Sequence, residues 1–385
     1  MKTSFPTDIL NKLHTPLYYY DIELLRKNLG NAKTAAKQYG YHLHYALKAN
    51  SNERILKEMV AMGFGADCVS GREVEVAHKA GFGNDAIAFA GVGKSDEEII
   101  AGLDLDIFSF NVESIQELQV INELAIEKNK VAKIALRINP NVDAKTHHYI
   151  TTGIEENKFG INFWDLENVL TILNENKALE LTGLHFHIGS QITDFDVFKG
   201  LCIRVNEIQK WFWERKIIPS HINLGGGLGI NYHSPEELPD FEHFFKLIHT
   251  NLDLHHNQDV HFEIGRALVA HAGSLISKVL YVKEGINTKF AILDAGMTEL
   301  IRPALYQAYH TIQNITSNLE TEKYDVVGPI CESSDCFGKA VKLPSTKRGD
   351  LIAIRSTGAY GEVMSSNYNL RQTAKAYYSD TLKSL

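Results

Sequence analysis

The sequence predicts a parallel (β/α)8 barrel of the TIM type, joined to a C-terminal β-rich domain. From residue 41 to about residue 264, apolar runs typical of buried strands alternate with helical patterns, and each run ends in a polar or glycine-bearing turn. After about residue 270 the long helical patterns give way to short strands and loops. A doubly wound open sheet is the alternative architecture for such alternation. The eight predicted barrel strands are His42–Ala49, Gly65–Ser70, Ala86–Ala90, Ile107–Phe110, Lys133–Asn139, Leu181–Ile188, His221–Leu224 and Val260–Ile264.

Helix boundaries between these strands are visible in the sequence. Ser70 with Glu73, and Ser95 with Glu98, have the spacing of capping boxes, in which serine caps the helix and glutamate reaches back to the cap. Gly81 follows the first of these helices and is a plausible stop, because glycine readily adopts the left-handed conformation. We therefore expect helices to begin just after Ser70 and Ser95.

The second domain is expected to contain a Greek-key or sandwich-like arrangement of strands. We expect Leu17–Tyr20, which precedes the first barrel helix, to pair with that domain. The expected boundaries are residues 22–270 for the barrel and residues 1–21 with 271–385 for the β-rich domain. The predicted strands of the C-terminal part are Gly273–Val282, Phe290–Leu293, Asp325–Val327 and Leu351–Arg355.

Composition excludes several classes of protein. The chain has 385 residues, 44% hydrophobic and 22% charged, which is ordinary globular composition. A formal net charge of -8 argues against a general nucleic-acid or anionic-membrane surface. The four cysteines fit neither a disulfide framework nor a zinc spacing, so we expect no metal and a reducing compartment, the cytoplasm. No run approaches a membrane span, and the first six residues lack the apolar core of a signal peptide.

Polar residues cluster where the predicted barrel strands end, which is where barrel active sites lie. Lys48 ends the first strand, and a buried ammonium is costly unless it has a partner or a chemical use. One such use is as the amine that forms a Schiff base with a carbonyl group. The plainer interpretation is a lysine that extends from the strand edge to solvent. The other polar or glycine residues at these strand ends are Asp67, Arg137, His187, Ser190, Gly265 and Arg266.

Three further features of the predicted barrel suit a phosphorylated heterocycle. Gly225, Gly226 and Gly227 follow the seventh strand, where backbone N–H groups could approach a phosphate, although a flexible turn is the alternative. Glu263 could hold the proton of a heterocyclic nitrogen, or form an ion pair with Arg266. His187 could stack on a flat ring, or be a core histidine bonded to backbone.

The β-rich part contains three more polar groupings: Arg302 with Tyr306, Cys331 with Glu332, and Tyr360 near Tyr368. The arginines could be surface charges, and the cysteine could be a small buried hydrophobe. Periodicity alone does not bring any of these groupings to the barrel mouth.

Taken in this order, the motifs resemble the fold-type III pyridoxal-phosphate decarboxylases of basic amino acids, over nearly the whole chain. One departure is Ile264, where the family usually has proline. The resemblance implies pyridoxal 5'-phosphate as cofactor, with Lys48 carrying the internal aldimine, His187 stacking on the ring and Glu263 pairing with its nitrogen. It also implies that Asp67 and Arg137 lie near the lysine and the ring. The residues implied around the phosphate are Ser190, Gly225, Gly226, Gly227, Gly265 and Tyr360, and Arg266 is implied to bind the cofactor as well.

Within that group the sequence is most similar to the branch that acts on meso-2,6-diaminopimelate. The implied reaction, a carboxy-lyase step through an external aldimine, gives L-lysine and CO2 and is the last step of lysine biosynthesis. The implied ligands of the distal carboxylate are Arg266, Arg302 and Tyr306, with Tyr360 also at the substrate, and Glu332 binds the distal ammonium. In the family, Cys331 and Glu332 belong to a loop from the other subunit of a homodimer, so the active site is shared. Cys331 and Lys48 both remain candidates for the proton donor.

Other functions are compatible with parts of this pattern. They include decarboxylation of ornithine, arginine or carboxynorspermidine, an amino-acid racemase on a similar barrel, and a non-catalytic pyridoxal-phosphate-binding homologue. The stretch Lys145–Thr152, with two histidines, could be a lid over the site or a polar connection.

Overall fold

A computed structural model of the chain describes residues 5–142 and 158–382. The predicted lid or connection at Lys145–Thr152 lies outside the described residues. The chain divides into two compact units. We call Leu29–Gly229 with Asp240–Gly265 the barrel unit, and Met1–Asn28, Ile230–Pro239 and Arg266–Leu385 the sheet unit.

The strands of the described residues are, in chain order, β1 (Leu17–Tyr20), β2 (His42–Ala46), β3 (Gly65–Cys68), β4 (Ile87–Phe89), β5 (Ser109–Val112), β6 (Ala132–Arg137), β7 (Leu179–His185), β8 (His221–Asn223), β9 (Asp259–Ile264), β10 (Gly273–Glu284), β11 (Lys289–Leu293), β12 (Ile312–Asn314), β13 (Thr321–Val327), β14 (Cys336–Pro344), β15 (Leu351–Ile354) and β16 (Lys375–Tyr378).

The α-helices of the same residues are α1 (Thr7–Leu10), α2 (Ile22–Lys37), α3 (Glu53–Ala61), α4 (Gly71–Ala80), α5 (Asp96–Leu105), α6 (Ile115–Glu127), α7 (Leu166–Glu175), α8 (Phe195–Glu214), α9 (Phe241–Asn251), α10 (Arg266–Val269), α11 (Arg302–Tyr306) and α12 (Ser379–Leu382). None of these helices is long and apolar enough to cross a membrane.

Strands β2 to β9 form a closed parallel barrel, as predicted. The decisive pairing is between the first and last of these strands, because an open sheet leaves both as edges. Here His44 of β2 lies opposite Gly65 on one side and opposite Glu263 of β9 on the other. The barrel prediction is therefore confirmed, and the open-sheet alternative is wrong.

The first barrel strand is shorter than predicted. It ends at Ala46, and Leu47–Ala49 form one turn of 3-10 helix. The Tyr45 hydroxyl donates to the carbonyl oxygen of Asn50 (2.7 Å), which ties the turn back onto the strand. Lys48 consequently lies just beyond the end of the strand and not within it.

The predicted helix signals are largely confirmed. Ser95 and Glu98 form a complete capping box at the start of α5. Ser70 caps α4 by accepting from the Glu73 N–H, but the Glu73 carboxylate accepts from the Val69 N–H and not from Ser70. Gly81 ends α4 with φ 101°, in the left-handed region.

The sheet unit contains one eight-stranded sheet, in which six strands follow the order β12-β15-β10-β11-β13-β14, β1 pairs with β10, and β16 pairs with β1. Leu17–Tyr20 pairs with β10 in antiparallel orientation and with β16 in parallel orientation, which confirms its predicted pairing with this sheet. Strands β12, β14 and β16 were not predicted. Strand β12 has only three residues, and β14 is largely half-buried or exposed, so neither shows a clear apolar alternation.

Histidines cluster inside the barrel at the opposite end from Lys48. His44 Nδ1 donates to the Ala86 carbonyl oxygen (3.0 Å), so His44 Nε2 accepts from His261 Nδ1 (2.8 Å) when both rings are neutral. His221 lies beside His261 with ring centroids 5.1 Å apart. Burial lowers the pKa of all three, for His221 to about 3, and the neighbouring imidazoles lower it further in His221 and His261. The folded state therefore holds these rings in their neutral form.

We predict an acid-sensitive barrel. A histidine whose pKa is lowered in the folded state binds protons more readily in the unfolded chain, so stability is lost as the pH falls below about 6.5. Each such ring adds up to about 1.4 kcal/mol of lost unfolding free energy per pH unit in this range. Urea unfolding of the wild type and of His221→Leu between pH 7.5 and 4.5 measures this slope.

The His221→Leu slope should be shallower than that of the wild type by about 1 kcal/mol per pH unit. The comparison uses only the slope of the unfolding free energy against pH, so a variant with a lower overall unfolding free energy remains informative. His256→Leu, at an exposed position, serves as the control and should keep the wild-type slope. Equal slopes in His221→Leu and the wild type would show that this ring does not titrate on unfolding.

Candidate active site

The amine of Lys48 lies against a buried carboxylate. Its Nζ donates to Asp67 Oδ2 at 2.9 Å, and about a third of the lysine side chain is accessible, against none of Asp67. Burial and the neighbouring Glu263 charge raise the pKa of Asp67, and the Lys48 ammonium opposes that shift. The other oxygen, Asp67 Oδ1, is buried without a hydrogen-bond partner among the described residues. The pair thus offers an accessible amine and an unused acceptor side by side.

Glu263 is a buried carboxylate surrounded by three donors from other strands. Its Oε1 accepts from Asn111 (2.8 Å) and Asn223 (2.7 Å), and its Oε2 accepts from His185 Nε2 (2.9 Å). Burial by itself raises the pKa of Glu263, but the His185 ring and the Lys48 ammonium outweigh it and bring that pKa below its usual range. Glu263 is therefore ionised at neutral pH.

The sequence analysis did not identify Asn111, His185 or Asn223. Each lies within or at the end of a buried strand, and side-chain amides and imidazoles are seldom buried without a partner. The available signal was therefore a polar residue in the middle of an apolar run.

His187 lies just after β7 and is oriented by the glycine loop. Its Nδ1 accepts from the Gly226 N–H at 3.2 Å, so in the neutral ring the proton is on Nε2. Desolvation lowers the pKa of His187 well below its usual value, and the charges of Arg137 and Lys48 lower it further. The site therefore holds a flat, uncharged ring at this position.

The three glycines pack backbone against backbone. A Cβ on Gly226 would lie 2.0 Å from the Glu263 carbonyl oxygen, and one on Gly225 would lie 2.3 Å from the Phe186 carbonyl oxygen. Gly225 and Gly227 also have φ of +65° and +102°, which side-chain-bearing residues rarely adopt. The loop is thus tightly packed between the ends of β7 and β9, and glycine is required by close approach.

Arg137 belongs to a buried ion pair. Its Nη1 donates to Glu113 Oε1 at 2.6 Å, and Glu113 also accepts from the N–H groups of Gly91 and Gly160. Both side chains are less than a tenth accessible. Glu113, also missed from the sequence, fixes the arginine at the end of β6.

Two more predicted residues of the barrel unit have different surroundings. Gly265 packs against the Lys48 turn, because a Cβ there would lie 2.9 Å from the Ala49 Cβ and 3.1 Å from the Ala46 Cβ. Ser190 is partly accessible and lies five residues beyond the end of β7.

The sheet unit brings together the predicted arginines. Arg266 and Arg302 both donate from Nη1 to the hydroxyl oxygen of Tyr232, at 2.6 Å and 2.5 Å. The Arg266 guanidinium also lies 4.7 Å from the centre of the Tyr360 ring. Tyr306 ends α11, the helix that Arg302 begins. We call Tyr232, Arg266 and Arg302 the arginine cluster; the sequence analysis found both arginines but not the tyrosine.

Cys331 and Glu332 lie in an exposed loop of the sheet unit. Tyr368 donates its hydroxyl hydrogen to Glu332 Oε1 at 3.0 Å, and the Cys331 N–H points to Asn369 Oδ1 at 3.5 Å. The two segments thus support each other, and within the chain the Glu332 carboxylate faces a tyrosine.

Comparison with known proteins agrees with this chemistry. Residues 25–270 match the family model described as pyridoxal-dependent decarboxylase, pyridoxal binding domain. The chain belongs to the pyridoxal-dependent decarboxylases. It is 56% identical to the diaminopimelate decarboxylase of Bacteroides thetaiotaomicron, over 99% of this chain and 100% of that protein. It is 42% identical to the Haemophilus influenzae diaminopimelate decarboxylase, over 93% of this chain and 86% of that protein.

The fold comparison gives the same family. The crystal structure of diaminopimelate decarboxylase from Helicobacter pylori, complexed with L-lysine, superposes with a TM-score of 0.92 and 40% sequence identity. The alignment covers 97% of this chain and 93% of that chain. The similarity therefore extends over both units of this decarboxylase.

The residues of the barrel unit fit pyridoxal phosphate as cofactor. An accessible primary amine, an ionised carboxylate, a neutral flat ring and a glycine loop are the groups that its aldehyde, ring nitrogen, ring face and phosphate require. The unused acceptor Asp67 Oδ1 is a further place for a polar group of the bound ring. These groups therefore agree with the pyridoxal dependence of the family to which this decarboxylase belongs.

We predict that Gly226→Ala weakens cofactor binding. The new Cβ would clash with the Glu263 carbonyl oxygen, which is backbone and cannot rotate away, so the glycine loop must shift. The affinity for pyridoxal phosphate should fall at least about tenfold, measured by absorbance titration of cofactor-free protein. Gly200→Ala in α8 is the matched control, because nothing lies within 4 Å of its added Cβ. Wild-type affinity in Gly226→Ala would contradict the tight packing.

Proposed function

We propose that the protein decarboxylates meso-2,6-diaminopimelate to L-lysine and CO2, the last step of lysine biosynthesis, with pyridoxal phosphate as cofactor. The observation that carries the substrate assignment is the arginine cluster, in which two guanidinium groups converge on one phenol oxygen. The relatives named diaminopimelate decarboxylase, one of them crystallised with L-lysine, support the same assignment.

The residues of the barrel unit perform the chemistry at the reacting carbon. Bound pyridoxal phosphate supplies the electron sink for cleavage of the carbon–carboxylate bond. Lys48 would hold the cofactor through its amine, which is the nucleophile for the cofactor's aldehyde. Glu263, ionised and held by Asn111, Asn223 and His185, keeps a proton on the ring nitrogen.

His187 is proposed to stack on the ring as a neutral imidazole, which adds no positive charge beside the ring. The Gly226 N–H fixes the orientation of that imidazole. Ser190, the glycine loop, Gly265 and Tyr360 are proposed to surround the phosphate, and Arg266 is proposed to contact the cofactor as well. Asp67 and Arg137 are proposed to lie near the lysine and the ring, where Asp67 accepts from the Lys48 amine.

The residues of the sheet unit are proposed to recognise the far end of the same substrate. Arg266, Arg302 and Tyr306 bind the distal carboxylate, because a planar guanidinium matches a carboxylate in two parallel hydrogen bonds. Glu332 binds the distal ammonium, and Tyr360 also lies at the substrate. Ornithine has no distal carboxylate and gains nothing from the two arginines.

The incoming proton at the reacting carbon comes from Lys48 or from Cys331. The two residues differ in a way that an experiment can use, because Cys331→Ser keeps the Lys48 amine that holds the cofactor. A normal product stereochemistry and rate in Cys331→Ser would assign the proton to Lys48, and a selective loss of rate would assign it to Cys331.

We further propose that the protein is a homodimer in which Cys331 and Glu332 enter the active site of the other subunit. In support, both residues are exposed in the single chain. Leu370, two positions after the Tyr368 that donates to Glu332, is 94% exposed. Val363 and Tyr368 of the same segment are also exposed, and exposed apolar side chains that occur together are typical of a contact surface. A cytoplasmic location is proposed as well, since all four cysteines are free thiols.

We predict that CO2 is released rapidly from meso-diaminopimelate with L-lysine as product, and not from ornithine, arginine or carboxynorspermidine run in parallel. Lys48→Ala should abolish both the release and the absorbance of the bound cofactor. Lys57→Ala, at an exposed lysine of α3 that pairs with Glu53, is the control and should remain active. Release from another amino acid alone would overturn the roles given to Arg302 and Glu332. Racemisation without CO2 would overturn the reaction itself.

We predict that two inactive variants complement each other. In a shared site, mixing Lys48→Ala with Glu332→Ala produces heterodimers in which one of the two sites has both native residues. Activity at low substrate concentration should then recover to about a quarter of the wild-type value after subunit exchange. Each variant alone should stay near background under these conditions. No recovery after demonstrated exchange would mean that each site takes Glu332 from its own chain.

A further inference from the structure

Tyr232 occupies the centre of the arginine cluster. It lies in the segment 230–239, which belongs to the sheet unit although it is flanked in sequence by the barrel unit. Its side chain is buried, and its hydroxyl oxygen accepts from Arg266 and Arg302. The Arg302 guanidinium also lies 5.0 Å from the centre of the Tyr232 ring. One side chain therefore contacts both arginines.

A second buried ring supports Arg302. His310 Nδ1 donates to the Arg355 carbonyl oxygen (2.8 Å), so Nε2 of the neutral ring accepts from Arg302 Nη1 (3.3 Å). Burial lowers the pKa of His310 to about 3, and the Arg302 charge acts in the same direction. His310 therefore remains an acceptor over the whole range in which the enzyme would work.

Two guanidinium groups that lie close together repel each other, and a shared hydrogen-bond acceptor offsets part of that repulsion. Both are buried and positively charged at all accessible pH values, so their approach needs a compensating partner. Hydrogen bonds from an ionised donor are stronger than neutral ones, and the phenol oxygen accepts two of them. The cluster is thus prearranged before any carboxylate arrives.

We propose that Tyr232 is a positioning residue that holds Arg266 and Arg302 as a pair for the substrate's distal carboxylate, and that it thereby sets the preference for substrates that carry one. The inference rests on the proposed function, since it assigns to these arginines the distal end of the substrate. Tyr232 acts through the arginines, so it affects binding of the distal end more than the rate of the chemical step.

Tyr232 also gives the cluster a dependence on alkaline pH. Burial raises the pKa of its phenol, but the Arg266 and Arg302 charges outweigh burial and bring that pKa below 10. Among the described residues, Arg266, Arg302 and His310 face Tyr232, and none of the three changes charge between pH 7.5 and 10. The phenols of Tyr306 and Tyr360 also face Arg266, and both remain in Tyr232→Phe, so a comparison with that variant isolates the contribution of Tyr232. Above the pKa of Tyr232 the phenolate competes with the substrate carboxylate for both arginines, so the KM for diaminopimelate rises.

The test uses the cofactor-loaded enzyme and Tyr232→Phe, which removes the hydroxyl and keeps the ring beneath Arg302. The KM for meso-diaminopimelate should rise at least about tenfold while kcat changes less than about threefold. Inhibition by L-lysine, which carries the distal carboxylate, should weaken by a similar factor. Inhibition by cadaverine, which lacks any carboxylate, should be unchanged. The alkaline rise of KM in the wild type should be absent in the variant.

Tyr309→Phe is the matched control, because it removes a hydroxyl at an exposed neighbour whose ring stacks on His233. It should keep the wild-type KM and its alkaline rise. An unchanged KM in Tyr232→Phe, or an equal loss of L-lysine and cadaverine inhibition, overturns the assignment of Tyr232 alone. No CO2 release from diaminopimelate by the wild type overturns the proposed function and this inference together.

If Tyr232→Phe does not fold, the wild type still decides the question. The apparent affinities for L-lysine and cadaverine are then measured as inhibition constants from pH 7.5 to 10. A loss for L-lysine that exceeds the loss for cadaverine supports the inference. The two losses are compared after correction for the titration of each ligand's own amines, because the carboxylate of L-lysine makes its neighbouring amine more acidic than those of cadaverine. Parallel losses after that correction overturn the inference.

Discussion

The barrel site depends above all on the buried, ionised carboxylate of Glu263. An ionised carboxylate is very unfavourable inside a protein unless hydrogen bonds replace the water it has lost. Asn111, His185 and Asn223 supply those bonds from β5, β7 and β8, so the charge is stabilised only when these strands have closed around β9. The same closure places the Lys48 amine and the His187 ring close enough for their charge states to be coupled to it.

The two ends of the barrel interior have opposite electrostatic designs. At the end where the strands finish, charged groups are kept ionised or paired: Lys48 with Asp67, and Arg137 with Glu113. At the other end, His44, His221 and His261 are kept neutral by burial. Charged groups are therefore concentrated at the end where the strands finish, which is where a cofactor with a phosphate and a ring nitrogen would bind. The opposite end, which contains the three histidines, holds neutral rings.

In the proposed function, the residues of the sheet unit recognise the substrate and those of the barrel unit break the bond. In the arginine cluster of the sheet unit, the phenol oxygen of Tyr232 accepts from both guanidinium groups, and the imidazole of His310 accepts from Arg302. Prearranged charges lower the ordering cost when a carboxylate binds. This explains why the substrate assignment is tested best by paired ligands that differ only in that carboxylate.

Much of this protein could be predicted from the sequence because patterns along the chain report burial. The alternation of strands and helices, the capping serine at position 95 and the stop at Gly81 are local, and they appear in the structure as predicted. Lys48, the glycine run and Glu263 were recognisable because each is unusual at a strand end. Each residue alone also had a plainer interpretation, and the resemblance of the ordered motifs to a known family implied the cofactor.

Only the tertiary structure decided which buried groups meet. The three donors to Glu263 lie 152, 78 and 40 positions away in the chain, and Tyr232 lies 34 and 70 positions from its two arginines. Periodicity shows that a side chain is buried, but it does not show which other buried side chain it faces. Which side chains meet depends on strand register, on barrel closure and on the membership of residues 230–239 in the sheet unit. These are long-range packing properties that no local pattern in the sequence records.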